Sequence, residues 1–379
     1  MTVSESGLGS SWTAREIWQQ PTTWPRVAGV VERLRPRVEE LVSAALFEAS
    51  PRIVLTGAGT SAFIGELVAP ALARHLGRQV EAIATTEIVA DPRAVAADDR
   101  PMLLVSFARS GNSPESLAAA QLLGSLTPSL RHLVITCDSR GELGRQWDGD
   151  ENAVVIALPE ETNDRGFAMT SSFTGMALAA LLAFGLDVDV EELARAGAGV
   201  LGEAAERASA IAGAKPSRLV YLGSGALRGL ARESALKCLE LTRGEVVGIA
   251  DSSLGFRHGP KSVLDDRTIA VVFLSTDRYA RSYDEDIARE LVLALGPNRV
   301  IVVGDADSGT CGGAQVWPVP GLATAPAAVW ALAAVITAQT TALACSLALD
   351  LTPDNPFPGG EVNRVVRGVV IHEFVEGVS

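Results

Sequence analysis

Two stretches of the chain share one layout. RIVLTGAGTSAFIGELVAPALARHL at 52–76 and RLVYLGSGALRGLARESALKCLELT at 218–242 each read as a short apolar strand, a G-x-G turn and a helix. A second pair repeats the order: RPMLLVSFARSGNSPESLAAAQLL at 100–123 and RTIAVVFLSTDRYARSYDEDIARELV at 267–292. A repeat distance of about 165 residues fits a whole α/β unit, so two copies of one fold are expected. Apolar strands without alternation, separated by helices, mark a parallel sheet covered on both faces. The expected fold class is therefore α/β: two tandem units, each a parallel sheet flanked by helices in three layers.

The remaining segments divide the chain into a helical lead-in (1–50), a first unit (51–190), a linker helix (191–216), a second unit (217–350) and a tail (351–379). The lead-in TAREIWQQPTTWPRVAGVVERLRPRVEELVSAALF reads as helix broken near Pro21 and Pro25. QVEAIATTEIV, RHLVITCD and NAVVIAL read as further strands, and VVIHEF near the end as β-like. DVDVEELARAGAGVLGEAAERASAIAG reads as one long helix. APAAVWALAAVITAQTTALACSLALDL at 325–351 is long and apolar, but it carries Gln339 and lacks basic flanks, which fits a buried core helix and not a membrane span.

With 47% hydrophobic residues among 379, the chain can bury a large core. A net charge of −13 without any Lys/Arg stripe argues against nucleic acid as a partner. The four cysteines form no CxxC and no zinc-spaced His/Cys cluster, so they are expected as buried thiols in the reducing cytoplasm, with no metal or cofactor. The N-terminus has neither the basic start nor the apolar core of a signal peptide.

SFARSGNSPES at 106–116 follows the apolar strand PMLLV. Small residues leave backbone amides uncovered, and hydroxyls add donors, which is how a loop holds an anion such as phosphate. An ordinary strand-to-helix turn with Ser113 as N-cap reads equally well from this loop alone. GTSA at 59–62 shifts the balance. Two hydroxyl loops at the carboxyl ends of strands in one sheet converge on one crevice, so Gly59, Thr60 and Ser61 would face Arg109, Ser110, Asn112 and Ser113. TSSFT at 170–174 adds Thr170 and Ser171 as a third candidate. In the second copy, LSTDRYARS places Asp277 where an anion would sit, so only the first copy is expected to bind phosphate. Neither G-x-G continues to a third glycine at dinucleotide spacing, and no P-loop is present.

Of the four histidines, His75, His132 and His372 read as structural. His258 lies in GFRHGPKS, a stiff loop better suited to acid–base work. Glu233, Lys237 and Glu240 share one face of the helix ESALKCLELT. An ordinary helical ion pair accounts for that spacing. Burial would shift the pKa values of its members.

GAGTSAFIGE, SFARSGNSPES, ALKCLE and RHGP, in that order, resemble the sugar isomerase (SIS) fold, and more closely the isomerase half of glucosamine-6-phosphate synthase and its smaller deaminase/isomerase relatives. TAREIWQQPTTW and NPFPGGEVNRVVRGVVIHEF resemble the galactosamine-6-phosphate deaminase/isomerase branch, also labelled tagatose-6-phosphate ketose/aldose isomerase. The resemblance implies two SIS units and phosphate binding by the two hydroxyl loops, with Ala108 in place of the family's first loop serine and Arg109 beside it. It implies Glu240 as the C1–C2 proton shuttle, Lys237 as its partner and His258 as the ring-opening group, reaching across a homodimer or larger homo-oligomer. Where the synthases carry a tail lysine, this tail offers Asn363, Arg364 and Arg367. No glutaminase segment with an N-terminal cysteine precedes the first unit, so the expected activity is conversion of a 2-amino-hexose 6-phosphate to ketose phosphate and ammonia, without a cofactor. A plain aldose–ketose isomerase and a phosphosugar sensor without turnover remain alternatives.

Overall fold

The computed structural model describes residues 8–366 and 368–375. Two helices open it, α1 (Trp12–Trp18) and α2 (Gln20–Phe47). The expected break falls at Gln19. Pro21 occupies the first turn of α2, where a missing N–H is harmless, while Pro25 and Pro36 lie within the helix. Burial of Trp24, Val27, Val31 and Val38 on one face holds α2 together through both prolines.

The first sheet has the order β2-β1-β3-β4-β5, all parallel: β1 (Arg52–Thr56), β2 (Val80–Ala82), β3 (Met102–Ala108), β4 (Leu130–Thr136) and β5 (Ala153–Ala157). Its helices are α3 (Thr60–Leu76), α4 (Thr85–Ala90), α5 (Pro92–Val95), α6 (Pro114–Leu126), α7 (Glu142–Trp147) and α8 (Ser171–Ala183). The long helix α9 (Val190–Gly213), capped by the Asp189 carboxylate on the Glu192 amide, leads to the second unit. There β6 (Arg218–Gly223), α10 (Leu227–Leu241), β7 (Val247–Asp251), β8 (Thr268–Phe273), α11 (Arg278–Leu295), β9 (Val300–Val303), β10 (Gln315–Trp317) and α12 (Ala327–Ala348) form a parallel sheet of order β10-β9-β8-β6-β7 with its helices. The two orders are the same topology used twice, as the repeat implied.

Strand faces alternate between cores. Ile53, Leu55, Leu103, Val105 and Phe107 of the first sheet, with Leu219 and Tyr221 of the second, face one shared core. Val54 and Leu104 face the outer layer of the first unit. Val220 and Leu222 face the outer layer of the second. The shared core is filled by α8 and α12, apolar around their whole circumference, which pack with α2, α9 and α10. Every residue in the most apolar window of α12 is buried, so its length serves the core. Each fully buried Leu, Ile or Val contributes about 1.5–3 kcal/mol.

Two expected strands differ. β2 ends at Ala82, and TTEIVA turns into α4. As an edge strand with one neighbour, β2 has too few ladder bonds to hold its β-branched continuation extended. VVIHEF is exposed and has no strand partner among the described residues, and it forms no strand. All four cysteines are buried and free.

Candidate active site

The chain leaves β1 through Gly57-Ala58-Gly59. A Cβ at Gly57 would come 2.5 Å from Ser61 Cβ, and Gly59 sits at φ 55°, so this tight turn requires both glycines. It delivers Thr60 and Ser61 to the start of α3. The second loop leaves β3 and turns at Gly111, φ 67°. Ser113 takes the N-cap position of α6, yet its hydroxyl makes no capping bond. It lines a cavity of about 240 Å³ together with Gly59, Thr60, Ser61, Arg109, Ser110 and Ser116. Leu236 and Glu240 from α10 form another wall, Phe167 and Met169 a third, and Val362, Asn363, Arg364 and Val366 of the tail complete it.

Arg109 is almost fully buried and charged. It donates to the carbonyls of Phe167 (3.0 Å) and Arg364 (2.7 Å). Burial pulls its pKa below the ordinary arginine value, and the neighbouring Arg364 adds to this against the opposing charges of Asp164 and Glu240. Arg364 donates to Asn163 Oδ1 at 3.1 Å and to the Asp164 carbonyl. Among the described residues, no carboxylate comes within ion-pair range of either arginine. Two cations that spend their donors on neutral oxygens leave positive charge for an incoming anion. The tail that carries Arg364 is fixed upstream, where Asp354 accepts from the Trp12 and Thr13 amides at 2.8 Å and from the Thr13 hydroxyl at 2.9 Å.

Behind the wall at Glu240 lies a buried charge cluster. Lys237 and Glu233 have no exposed side-chain surface, whereas Glu240 keeps 22%. Lys237 Nζ donates to Glu240 Oε2 at 2.5 Å and to Thr60 Oγ1 at 3.0 Å, and lies 3.5 Å from Glu233 Oε1. Burial lowers the ammonium pKa, but the two carboxylates outweigh it and hold Lys237 above its ordinary value. Burial pushes the Glu233 carboxyl up to about 8 against the pull of Lys237. At neutral pH the Glu233 carboxyl, pushed up to about 8, thus largely keeps its proton and sits behind the Lys237–Glu240 pair that opens to the pocket. The sequence spacing was compatible with an ordinary helical ion pair; complete burial of Lys237 and Glu233 is what distinguishes it.

Of the residues singled out from sequence, Gly59, Thr60, Ser61, Arg109, Ser110, Ser113, Glu240 and Asn363 line this one cavity. Lys237 stands directly behind it. Asn112 does not line it: its Oδ1 accepts from the Glu142 amide at 3.0 Å and fixes the neighbouring loop. Thr170 and Ser171 are not there either. Thr170 gives its hydroxyl to Asp164 at 3.0 Å and Ser171 to the Glu16 carbonyl at 2.6 Å, inside a buried knot at the start of α8. His258 is exposed at the end of a short turn, outside the cavity. Arg367 lies outside the described residues. Asp277 does not occupy an anion position: it caps α11, accepting from the Ala280 amide at 3.0 Å. His132 is buried and bonded to Ser106 at 2.7 Å, and burial pushes it down to about 3, a structural histidine as expected.

Sequence reasoning missed Ser116, Phe167 and Met169. Ser116 follows Ser113 by three positions and so shares its face, a signal that was available. The wall at Phe167 and Met169 depends on Asp164, whose carboxylate accepts from the Thr170, Ser171 and Ser172 amides, and nothing local announces that.

The SIS-domain profile matches residues 45–185. An AgaS protein of Streptomyces coelicolor is 51% identical over 96% of this chain and 95% of its own length. The D-galactosamine-6-phosphate deaminase AgaS of Escherichia coli is 42% identical over 96% of each. The crystal structure of tagatose-6-phosphate ketose/aldose isomerase from Escherichia coli superposes with a TM-score of 0.90 at 39% identity, covering 96% of this chain and 97% of that one. The doubled parallel sheet, the paired hydroxyl loops and this full-length similarity agree: the chain belongs to the AgaS family of SIS-domain proteins.

Proposed function

We propose that the chain is an amino-sugar phosphate deaminase/isomerase that converts galactosamine-6-phosphate to tagatose-6-phosphate and ammonia. The observation that carries this reading is Glu240, a carboxylate held by a buried ammonium and open to a pocket whose opposite walls present hydroxyls and Arg109. Such a pocket fixes a sugar phosphate by its anionic end and leaves its carbonyl end against a base. The sugar named for the Escherichia coli relative supplies the substrate class.

In this reading Thr60, Ser61, Ser110, Ser113 and Ser116 hold the phosphate, with Arg109 and Arg364 balancing its charge. His258 assists ring opening. Glu240 takes the C2 proton of the open-chain aldehyde, leaving an enolate that gains a proton at O1 from water, and returns the C2 proton to C1 as the nitrogen gives a proton back to water. The product is a ketose imine, and water hydrolyses it to the ketone and ammonia. Lys237 is too deeply buried to touch the sugar. Its charge orients Glu240 and favours the anion that builds up during proton transfer. Asn363 and Arg364 of the tail line the site and offer no amine for Schiff-base chemistry.

His258 lies outside the cavity of its own chain, so it serves the site of a second subunit in a homodimer or larger assembly. Four buried free thiols fit a cytoplasmic enzyme. Isomerisation of an unaminated sugar would use the same proton transfer, and the activity named for the Escherichia coli structure supports this second reading. Incubation with galactosamine-6-phosphate and with glucosamine-6-phosphate separates the two. Ammonia released faster from the galacto epimer is expected. Interconversion of tagatose-6-phosphate with its aldose, without ammonia from either amino sugar, would favour the isomerase.

A further inference from the structure

The second unit has its own crevice at the carboxyl ends of β6 and β8, and it is filled. Ile53 pairs with Leu103 in the first sheet and Leu219 with Ile269 in the second. By this register Ser224 stands where Ala58 stands, and Ser275 where Arg109 does. Ala58 and Arg109 both line the phosphate pocket of the first unit. At the matching place in the second unit lies the fully buried carboxylate of Asp284, from α11. Its Oδ1 accepts from the Ser224 hydroxyl at 2.6 Å and the Ser253 hydroxyl at 2.5 Å, and its Oδ2 from the Ser275 amide at 2.9 Å. Two hydroxyls and a loop amide around one negative group are the contacts of an oxyanion cradle.

Ser253 also opens the turn that carries His258. That turn is tied to α11 further along, where Glu290 pairs with Arg257 at 2.7 Å and with Lys261, and Phe256 is buried in the outer core against α11. The Glu290 pairs are one-third exposed and hold weakly. The buried, charge-assisted bond from Ser253 to Asp284 is the firmer tie.

We infer that Asp284 is the second unit's own anion: it fills the crevice where the first unit takes a phosphate and, through Ser253, positions the loop that carries His258. Asp284 is thus a positioning residue. It accounts for the hydroxyl of Ser224 in the second copy's G-x-G turn, where the first copy has Ala58. The catalytic part of this inference rests on the proposed role of His258; the positional part does not.

Ser253→Ala and Ser224→Ala each remove one hydroxyl from the same carboxylate oxygen, but only Ser253 belongs to the His258 loop. The full chain is assayed for ammonia release from galactosamine-6-phosphate and for hydrogen exchange at the amides of 252–259. For Ser253→Ala, kcat is expected to fall by about tenfold or more with KM little changed, since the phosphate anchor lies in the other unit. Exchange at 252–259 is expected to quicken. Ser224→Ala should stay within about twofold of wild type in kcat. Asp284→Asn, which sets an amide where an acceptor is needed, should reproduce the Ser253→Ala pattern; if it fails to fold, the serine pair still decides. Equal effects of the two serine variants, or unchanged exchange in Ser253→Ala, overturn the inference. If the wild-type chain releases no ammonia, the proposed function fails, and the exchange comparison still decides the positional claim.

Discussion

Glu233 is the residue whose chemistry is least visible in sequence and most consequential for stability. Its carboxyl, at 4.5 in an ordinary setting, is raised to about 8 by burial in the fold. The folded chain therefore holds a proton that the unfolded chain gives up. The stability tied to that proton is fully present below about pH 4.5 and is lost as pH rises through about 8. Glu233→Gln keeps the shape and removes the titration. Thermal melts of this variant are expected to lose part of the wild-type decline between about pH 5 and 8. A residual slope remains, because burial and the nearby Asp164 also raise Glu16 to about 8. Identical slopes in the two proteins would show that Glu233 is not the group titrating. At this scale spacing placed Glu233, Lys237 and Glu240 on one helix face and the family resemblance gave the last two their roles, but complete burial is a tertiary property that no window of residues contains. The same limit explains Thr170 and Ser171: hydroxyls at a helix start look like ligands for an outside anion, and here the anion, Asp164, is internal.

Among the elements, the third glycine of GSGALRG shows how a pattern can be read correctly and mean something else. It does not fit the dinucleotide spacing, and its place in the structure gives it another use. Gly229 lets α10 approach α3 where the two units meet: a Cβ there would come 2.7 Å from the Leu67 amide nitrogen. Gly229→Ala must push these helices apart and is expected to cost about 1–3 kcal/mol in denaturant unfolding. A variant as stable as wild type would mean that the crossing relaxes freely. The strand–turn–helix succession was legible because periodicity and glycine turns are local. The end of β2 and the fate of VVIHEF were not, because strand formation depends on a partner that the segment itself does not name. α12 was legible as core for the opposite reason: Gln339 inside an apolar run had to find a polar partner, and it accepts from Gln20 at 2.7 Å.

For the molecule as a whole, duplication was written in the sequence, whereas Asp277, read there as standing in an anion position, caps α11 instead. An overall charge of −13 coexists with a pocket lined by two arginines that, among the described residues, have no carboxylate within ion-pair range, so the local charge of the pocket differs from the global field. His258 outside its own cavity makes assembly a testable part of function. Glu240→Gln and His258→Ala chains, each inactive alone, are expected to complement when mixed and reassociated. A mixed dimer keeps one intact site, so random pairing should restore about a quarter of wild-type activity. No recovery despite subunit exchange would place His258 in its own chain's site or outside catalysis.

The most direct measurement sets the wild-type chain beside Glu240→Gln, with galactosamine-6-phosphate as ligand, recording binding and ammonia release on the same preparations. On the proposed reading the two hydroxyl loops anchor the phosphate and Glu240 handles the C2 proton, so the variant should bind the sugar about as tightly as wild type and release no ammonia. Ammonia from Glu240→Gln at a rate near wild type, or loss of binding together with turnover, would contradict the assignment of Glu240 as the proton shuttle.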